Sequence, residues 1–293
     1  MKISAFPKCW LEDICEGRMS LFEWIGISTQ LACEGLELYP GFLESTSPAY
    51  LAKVRNAIES NGMVVSMMCH SPDFTAPQEE LQQQIARQCE MIRVTAELGG
   101  KFCRTLSGQR YPGLDENAAV DQVVHCIESC LPEAEKNGVV LSMENHFKDG
   151  YWMYPEFAQK MDIFTRIVDK IDSPWFGVQY DPSNTIVAGE DPLELLDKVL
   201  PKVKTMHASD RYLEEGYKLD DVMLSLAQKG YPEHLHHGEV GKGLNDYPAI
   251  FRKLAAAGYA GWVSIEDGVN GMQEMKNSVD YLKKMRDLYF ISA

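Results

Sequence analysis

Five short apolar runs in this chain each end in a side chain able to hold a cation or move a proton: VVSMMC before His70, VVLSM before Glu144, FGVQY before Asp181, VKTM before His207 and WVSI before Glu266. Two Glu, one Asp and one His make an oxygen-rich, mixed donor set. Such a set suits one divalent ion, Mn2+ first and Mg2+, Co2+ or Zn2+ as alternatives, with coordination positions left open for a substrate. Each residue also has a plainer reading; Asp181 before Pro182-Ser183, for instance, could be a turn or a helix cap. Four donors at successive strand ends favour the cation, because an unpaired acidic ring would repel itself.

Residues as far apart as His70 and Glu266 can share a site only if the fold gathers them. A continuous apolar run is the pattern of a parallel strand buried on both faces, and in a closed parallel barrel the strand ends converge on one mouth. Eight such runs are present: Lys2–Phe6, Leu36–Tyr39, Val64–His70, Phe102–Leu106, Val139–Glu144, Phe176–Asp181, Val203–His207 and Trp262–Glu266. Between them lie amphipathic stretches with helical spacing, such as Leu81, Ile85, Cys89, Ile92 and Ala96, or Ala119, Val123, Cys126, Cys130 and Ala134. Several of these end in a glycine that leads straight into the next strand (ESNG, ELGG, EKNG, AAAG). Neither GxGxxG nor GxxxxGK[ST] follows the first strand, which argues against an open, doubly wound sheet. The expected fold is therefore an α/β (β/α)8 TIM barrel, a single domain over residues 1–293, with one long irregular loop at about 208–245 roofing the mouth.

Composition narrows the function. A formal net charge of −15 disfavours binding to phosphate backbones, so no nucleic-acid partner is expected. No run approaches the ~20 apolar residues of a membrane span, and the start lacks a signal-peptide pattern, so a cytoplasmic protein with no membrane partner is expected. The eight cysteines are dispersed and are read as reduced thiols. Whether the chain forms a homo-oligomer is left open.

The segments MENH (143–146), YDPSN (180–184), MHASD (206–210) and GEVGKGLNDYPAIFRKLAAAGYAGWVSIED, with the closing Tyr281-Leu282 helix, carry a family likeness over nearly the whole chain. It resembles the xylose isomerase-like barrel superfamily, in particular the sugar phosphate isomerase/epimerase group, with D-tagatose 3-epimerase-like enzymes, hydroxypyruvate isomerase and inosose dehydratase. The resemblance implies metal held by Glu144, Asp181, His207 and Glu266, with Glu144 and Glu266 doubling as the proton-transfer pair. The expected activity is isomerisation or epimerisation of a ketose or related small keto-polyol through an enediolate. A dehydratase or other lyase using the same anion is the alternative; an endonuclease IV-like enzyme fits less well, since Asn184 stands where those enzymes carry another ligand His. A metal-free carbohydrate-binding barrel is the third class.

Around the four donors, His70, His146 and Arg211 are candidate substrate contacts, each with a structural alternative: a satisfied buried His, a loop His, an exposed lid Arg. Phe6, Trp10, Trp152 and Tyr154 could stack on a sugar but more often such rings pack locally. His234, His236 and His237 are read as loop residues facing solvent or substrate and not as a second metal site.

Overall fold

A computed structural model describes residues 1–219, 222, 232–266 and 268–290. Eight parallel strands close into a barrel: β1 (Lys2–Ala5), β2 (Gly35–Leu38), β3 (Val64–Met68), β4 (Phe102–Thr105), β5 (Val140–Glu144), β6 (Phe176–Tyr180), β7 (Val203–Ala208) and, after a two-stranded insertion, β10 (Trp262–Ile265). Around the barrel the order is β1-β10-β7-β6-β5-β4-β3-β2, so β5, β6, β7 and β10 form one contiguous arc. This is the expected (β/α)8 architecture, with helices between the strands.

The strands are buried almost throughout, which is why they read as unbroken apolar runs. Their ends differ from the expected bounds by one or two residues. β3 stops at Met68, β6 at Tyr180 and β10 at Ile265, so His70, Asp181 and Glu266 stand just past the ladder, where the backbone is free to turn each side chain. Glu144 closes β5, and His207 is the penultimate residue of β7.

Helix Glu116–Asn137 buries the predicted stripe, including Ala119, Val123, Cys126, Cys130 and Ala134, and ends at Gly138, whose φ of 62° is the left-handed conformation that relieves a C-terminus. Helix Leu81–Glu97 is rotated from expectation. Gln88, Met91, Ile92 and Thr95 are its buried face, while Ile85, Cys89 and Ala96 are only half-buried. Gln88 turns inward because its amide donates to the Arg104 carbonyl at 3.2 Å and to Cys103 Sγ at 3.3 Å. All eight cysteines are free thiols.

The stretch at 208–245 is not wholly irregular. Its two ends pair as an antiparallel ribbon, β8 (Asp210–Leu213) with β9 (Leu235–Gly238); positions 220–221 and 223–231 lie outside the described residues. Asp210 anchors both the start of the ribbon and the turn beyond β9, its carboxylate accepting the backbone N–H groups of Arg211, Gly241, Gly243 and Asn245. Among the described residues no helix is long and apolar enough to cross a membrane.

Gly35 on β2 lies against the ring of Trp262 from β10. A Cβ at position 35 would lie 2.9 Å from two ring atoms and 3.0 Å from the Val64 carbonyl oxygen. Gly35→Ala should therefore cost about 1–3 kcal/mol of stability through overpacking, read as a lowered denaturation midpoint at constant slope; an unchanged midpoint would show that the contact is not tight.

Candidate active site

The arc β5-β6-β7-β10 brings four sequence-distant donors together. One ligand atom each from Glu144, Asp181, His207 and Glu266 lies within 4.8 Å of the others. Donors at opposite sides of an ion with ~2.0–2.3 Å bonds are about 4–4.6 Å apart, so this spacing can serve a single cation. His207 Nδ1 is 3.2 Å from Glu144 Oε1 and 3.5 Å from Glu266 Oε2. Glu144, Asp181 and His207 are buried, and Glu266 is nearly so.

Asp181 fulfils both of its readings. Its Oδ1 caps helix Pro182–Val187, accepting the N–H of Ser183 at 2.7 Å and of Asn184 at 3.1 Å. Its Oδ2 accepts Asn184 Nδ2 at 3.0 Å, and Asn184 Nδ2 also donates to Glu144 Oε1 at 3.2 Å. The cap thus fixes the carboxylate that joins the cluster.

Two fixed cations border the cluster. Arg104, buried on β4, donates from Nη1 to Glu144 Oε2 at 2.8 Å, from Nε to the His70 carbonyl at 3.2 Å and from Nη2 to Ser71 Oγ at 2.8 Å. Lys8 Nζ donates to Glu266 Oε1 at 3.0 Å. Neither residue stands out in the sequence as a site candidate. Arg104 was legible as a lone charge inside the apolar run KFCRTL; Lys8 had no such signal.

A third unpredicted residue is Glu37. It interrupts the apolar strand GLEL, and its Oε2 lies 2.8 Å from His207 Nε2 while accepting the Cys69 thiol at 3.5 Å. A carboxylate there holds the proton on Nε2 and leaves Nδ1 as a lone-pair donor facing the other three acids, the usual outer-shell arrangement of a metal-ligating His.

The titration behaviour reflects this crowding. Burial raises the Asp181 carboxyl, and the neighbouring charges of Glu144 and Glu266 raise it further, to about 6. Burial would raise Glu144 too, but His207 and Arg104 outweigh it and hold that carboxyl at about 2. Glu266 is likewise held well below the ordinary range, burial being outweighed by Lys8, His207 and Arg104. Burial opposes a charge on His207, yet Glu37, Glu144 and Glu266 draw it well above its usual value. Four carboxylates, those of Glu37, Glu144, Asp181 and Glu266, meet only two fixed cations, Lys8 and Arg104, in these contacts. Once His207 gives up its extra proton to act as a ligand, the two charges left over match a divalent ion.

The remaining candidates divide. His146 lies two residues past Glu144 and contacts the buried Glu156, with Nδ1 3.3 Å from Oε2. His70 is buried with Nε2 unpartnered among the described residues, and burial, then Arg87 and Arg104, push it down to about 3, so it is a neutral hydrogen-bonding group. Arg211 is buried at the start of β8, which excludes the exposed-lid reading. His234 and His236 face Glu214, at 2.6 and 3.7 Å, and stack on Tyr217 and Tyr212. His237 is held neutral by burial, Arg211 and Lys8, at about 2. Trp10 packs on Trp24, Phe6 on Phe42 and Tyr154 on Tyr111; only Trp152, 6.5 Å from the His146 ring, adjoins a site candidate.

A closed parallel barrel carrying its donors on one arc of strand ends defines a class, and sequence comparison agrees. Residues 27–285 match the model of the xylose isomerase-like TIM barrel family, and the chain belongs to it. Among curated relatives it is 27% identical over 136 residues to an inosose dehydratase of Geobacillus thermodenitrificans, covering 45% of this chain and 42% of that protein. It is 26% identical over 215 residues to a 3-oxo-isoapionate decarboxylase of Pectobacterium atrosepticum, covering 72% and 64%. The chain thus spans about two fifths to two thirds of the length of these curated relatives. The crystallised D-psicose 3-epimerase of Clostridium cellulolyticum, with D-tagatose, superposes with a TM-score of 0.75 over 99% of both chains at 13% identity, a likeness of fold.

Metal-stripped protein titrated with Mn2+, Mg2+, Co2+ or Zn2+ should gain stability, about 2.7 kcal/mol at a hundredfold excess over Kd, and Asp181→Asn should lose the gain while keeping its cap. Protons compete with the ion for its ligands, so affinity should weaken as pH falls, first because His207 holds its proton well above the usual imidazole range and further below about 6, where Asp181 takes up its proton. No shift in melting temperature with any of the four ions would refute the site. Glu37→Gln should weaken binding about 10- to 100-fold, measured by calorimetry; unaltered affinity would leave Glu37 without an orienting role.

Proposed function

We propose that the chain is a divalent-metal-dependent isomerase or epimerase of a ketose or related small polyhydroxy carbonyl compound, with Glu144 and Glu266 transferring the proton. The observation that carries this reading is that both glutamates are held ionised at the same donor cluster, each by its own cation, Arg104 and Lys8. A cation held by Glu144, Asp181, His207 and Glu266 would supply a Lewis acid for a carbonyl and its neighbouring hydroxyl, acidifying the C–H between them. The mixed O3N donor set favours Mn2+.

Being ionised, Glu144 and Glu266 begin as bases. β6 and β7 separate β5 from β10, so the two carboxylates approach a substrate from different sides of the arc. One removes the proton from one face of the carbon; the other, after taking up a proton from solvent, delivers it to the opposite face, which inverts configuration, whereas return by the first to the adjacent carbon interconverts aldose and ketose. Asp181, tied down by its helix cap, and His207, tied to Glu37, are left to hold and not to move protons.

A second reading, dehydration of a keto-sugar or inosose, is supported by His146. It stands two residues past Glu144 and is backed by Glu156, where it could protonate a departing hydroxyl; one relative is itself named an inosose dehydratase. An endonuclease is disfavoured by the acidic charge and by Asn184, which spends its amide on Glu144 and Asp181.

Metal-loaded protein incubated in deuterated water with ketoses, hydroxypyruvate and inososes should place deuterium next to the carbonyl. Incorporation without loss of water supports the isomerase or epimerase, and incorporation with loss of water supports the dehydratase. Glu144→Gln or Glu266→Gln should slow exchange by about 10^2-fold or more. No exchange with any of these substrates would sink both readings.

A further inference from the structure

A second group of buried ionisable side chains stands at the mouth, outside the donor cluster. Glu156, in the segment after β5, is fully buried. Its Oε1 accepts both the backbone N–H of Ser107, at 2.7 Å, and the Ser107 hydroxyl, at 2.6 Å. Its Oε2 lies 3.3 Å from His146 Nδ1. Backbone bonds clamp the same place: Glu156 N–H donates to the Phe147 carbonyl at 3.0 Å and Phe157 N–H to the Gly108 carbonyl at 2.7 Å. Ser107 Oγ in turn accepts the Ala158 N–H at 2.9 Å. The carboxylate can neither rotate nor retreat without breaking several bonds.

That rigidity has a chemical consequence. Oε1 already takes both Ser107 donors, and Oε2 as a carboxylate oxygen accepts from the imidazole facing it, so the contact directs the His146 proton to Nδ1. Nε2 is then the nitrogen with no hydrogen-bond partner among the described residues. The ring stands two residues from Glu144 with its edge toward Trp152.

We propose that Glu156, clamped by Ser107, is a positioning residue that fixes the tautomer and direction of His146 so that Nε2 meets a hydroxyl of the bound polyhydroxy compound beside the carbon served by Glu144. The substrate class this implies is one carrying a hydroxyl beyond the carbon that loses its proton. The inference rests on the carbonyl-compound reading above, but the ring's tautomer can be measured without turnover.

Glu156→Gln is the informative variant. Ser107 N–H holds the Gln oxygen in place, so the amide NH2 faces His146 and can only donate, driving the ring proton from Nδ1 to Nε2. In Mg2+-loaded, 15N-histidine-labelled protein, the wild type should show the Nδ1-protonated form and the variant the Nε2-protonated form. Melting temperature and metal affinity should be unchanged. With whichever substrate exchanges in deuterated water, kcat should fall about tenfold or more with a smaller change in KM. If Glu156→Gln does not fold, Ser107→Ala removes one of the two clamps and should give a smaller loss of kcat in the same direction. A ring tautomer that ignores the substitution, or unchanged kcat after the tautomer has switched, overturns the proposal. Failure of the wild type to exchange with any carbonyl compound would count against the function, while the nitrogen shifts would still decide whether Glu156 sets the imidazole.

Discussion

Like-charge repulsion is the constraint around which this barrel mouth is built. Glu144, Asp181 and Glu266 place donor oxygens within 4.8 Å of one another and of His207, in surroundings where burial already penalises each charge. Such a group persists only if positive charge is brought to it. Arg104 and Lys8 each neutralise one glutamate from outside the cluster. Asp181 is consequently the member whose carboxyl is raised. The strain falls on the residue that also holds a helix N-terminus, where backbone N–H groups partly stabilise its charge.

The barrel supplies the rigidity that this arrangement needs. Because side chains alternate along a strand, the residue two before each donor shares its face: Ser142 under Glu144, Gln179 under Asp181, Thr205 under His207 and Ser264 under Glu266. All four are polar and buried, where parallel barrels commonly place bulky aliphatic residues. The polar character of the site therefore extends a layer into the interior. On the far side of the mouth Glu37 locks the imidazole of His207, and at the base Trp262 packs against Gly35. Position and protonation of the donors are thus set by residues of the barrel wall together with Lys8 beyond β1 and the helix that Asp181 caps.

The same physics decides which features the sequence revealed and which it hid. A buried parallel strand announces itself as an apolar run, and a polar residue at its end is conspicuous, so the eight strands and the donors Glu144, Asp181, His207 and Glu266 were legible. Glu37 and Arg104 were visible only as lone charges inside apolar runs, and a charge there reads as an interruption until the fold supplies its partner, His207 for Glu37 and Glu144 for Arg104. Gln88 misled the helix reading in the same way: a polar residue faces the barrel because its amide has a carbonyl to bind. Glu156 lay deeper still. Its partner Ser107 is 49 positions away, and only the closure of the segment after β5 over the end of β4 brings them together. The ribbon β8–β9 was missed because its short strands are stabilised by each other and by Asp210, without a long apolar run to mark them.

In the proposed reaction the fate of the substrate anion turns on the groups that stand beside Glu144. Glu266 is reached across two strands and is held by Lys8 as an anion, which makes it a weak base that must acquire a proton before it can donate one. His146 is nearer along the chain, and its imidazole can donate from the open nitrogen when charged and accept through it when neutral. Epimerisation asks only for a second carboxylate on the opposite face of one carbon; dehydration asks for an acid at the next carbon. The same four donors serve either course, because in both the first event is removal of a proton next to a carbonyl. In that proposal specificity would reside in the groups placed to touch the hydroxyls, His70, whose Nε2 has no partner among the described residues, and His146 with its Nδ1 clamped. With Nδ1 turned to Glu156, a neutral His146 can only accept from a substrate hydroxyl at Nε2 and hold it in place, whereas elimination requires the same nitrogen to carry a proton.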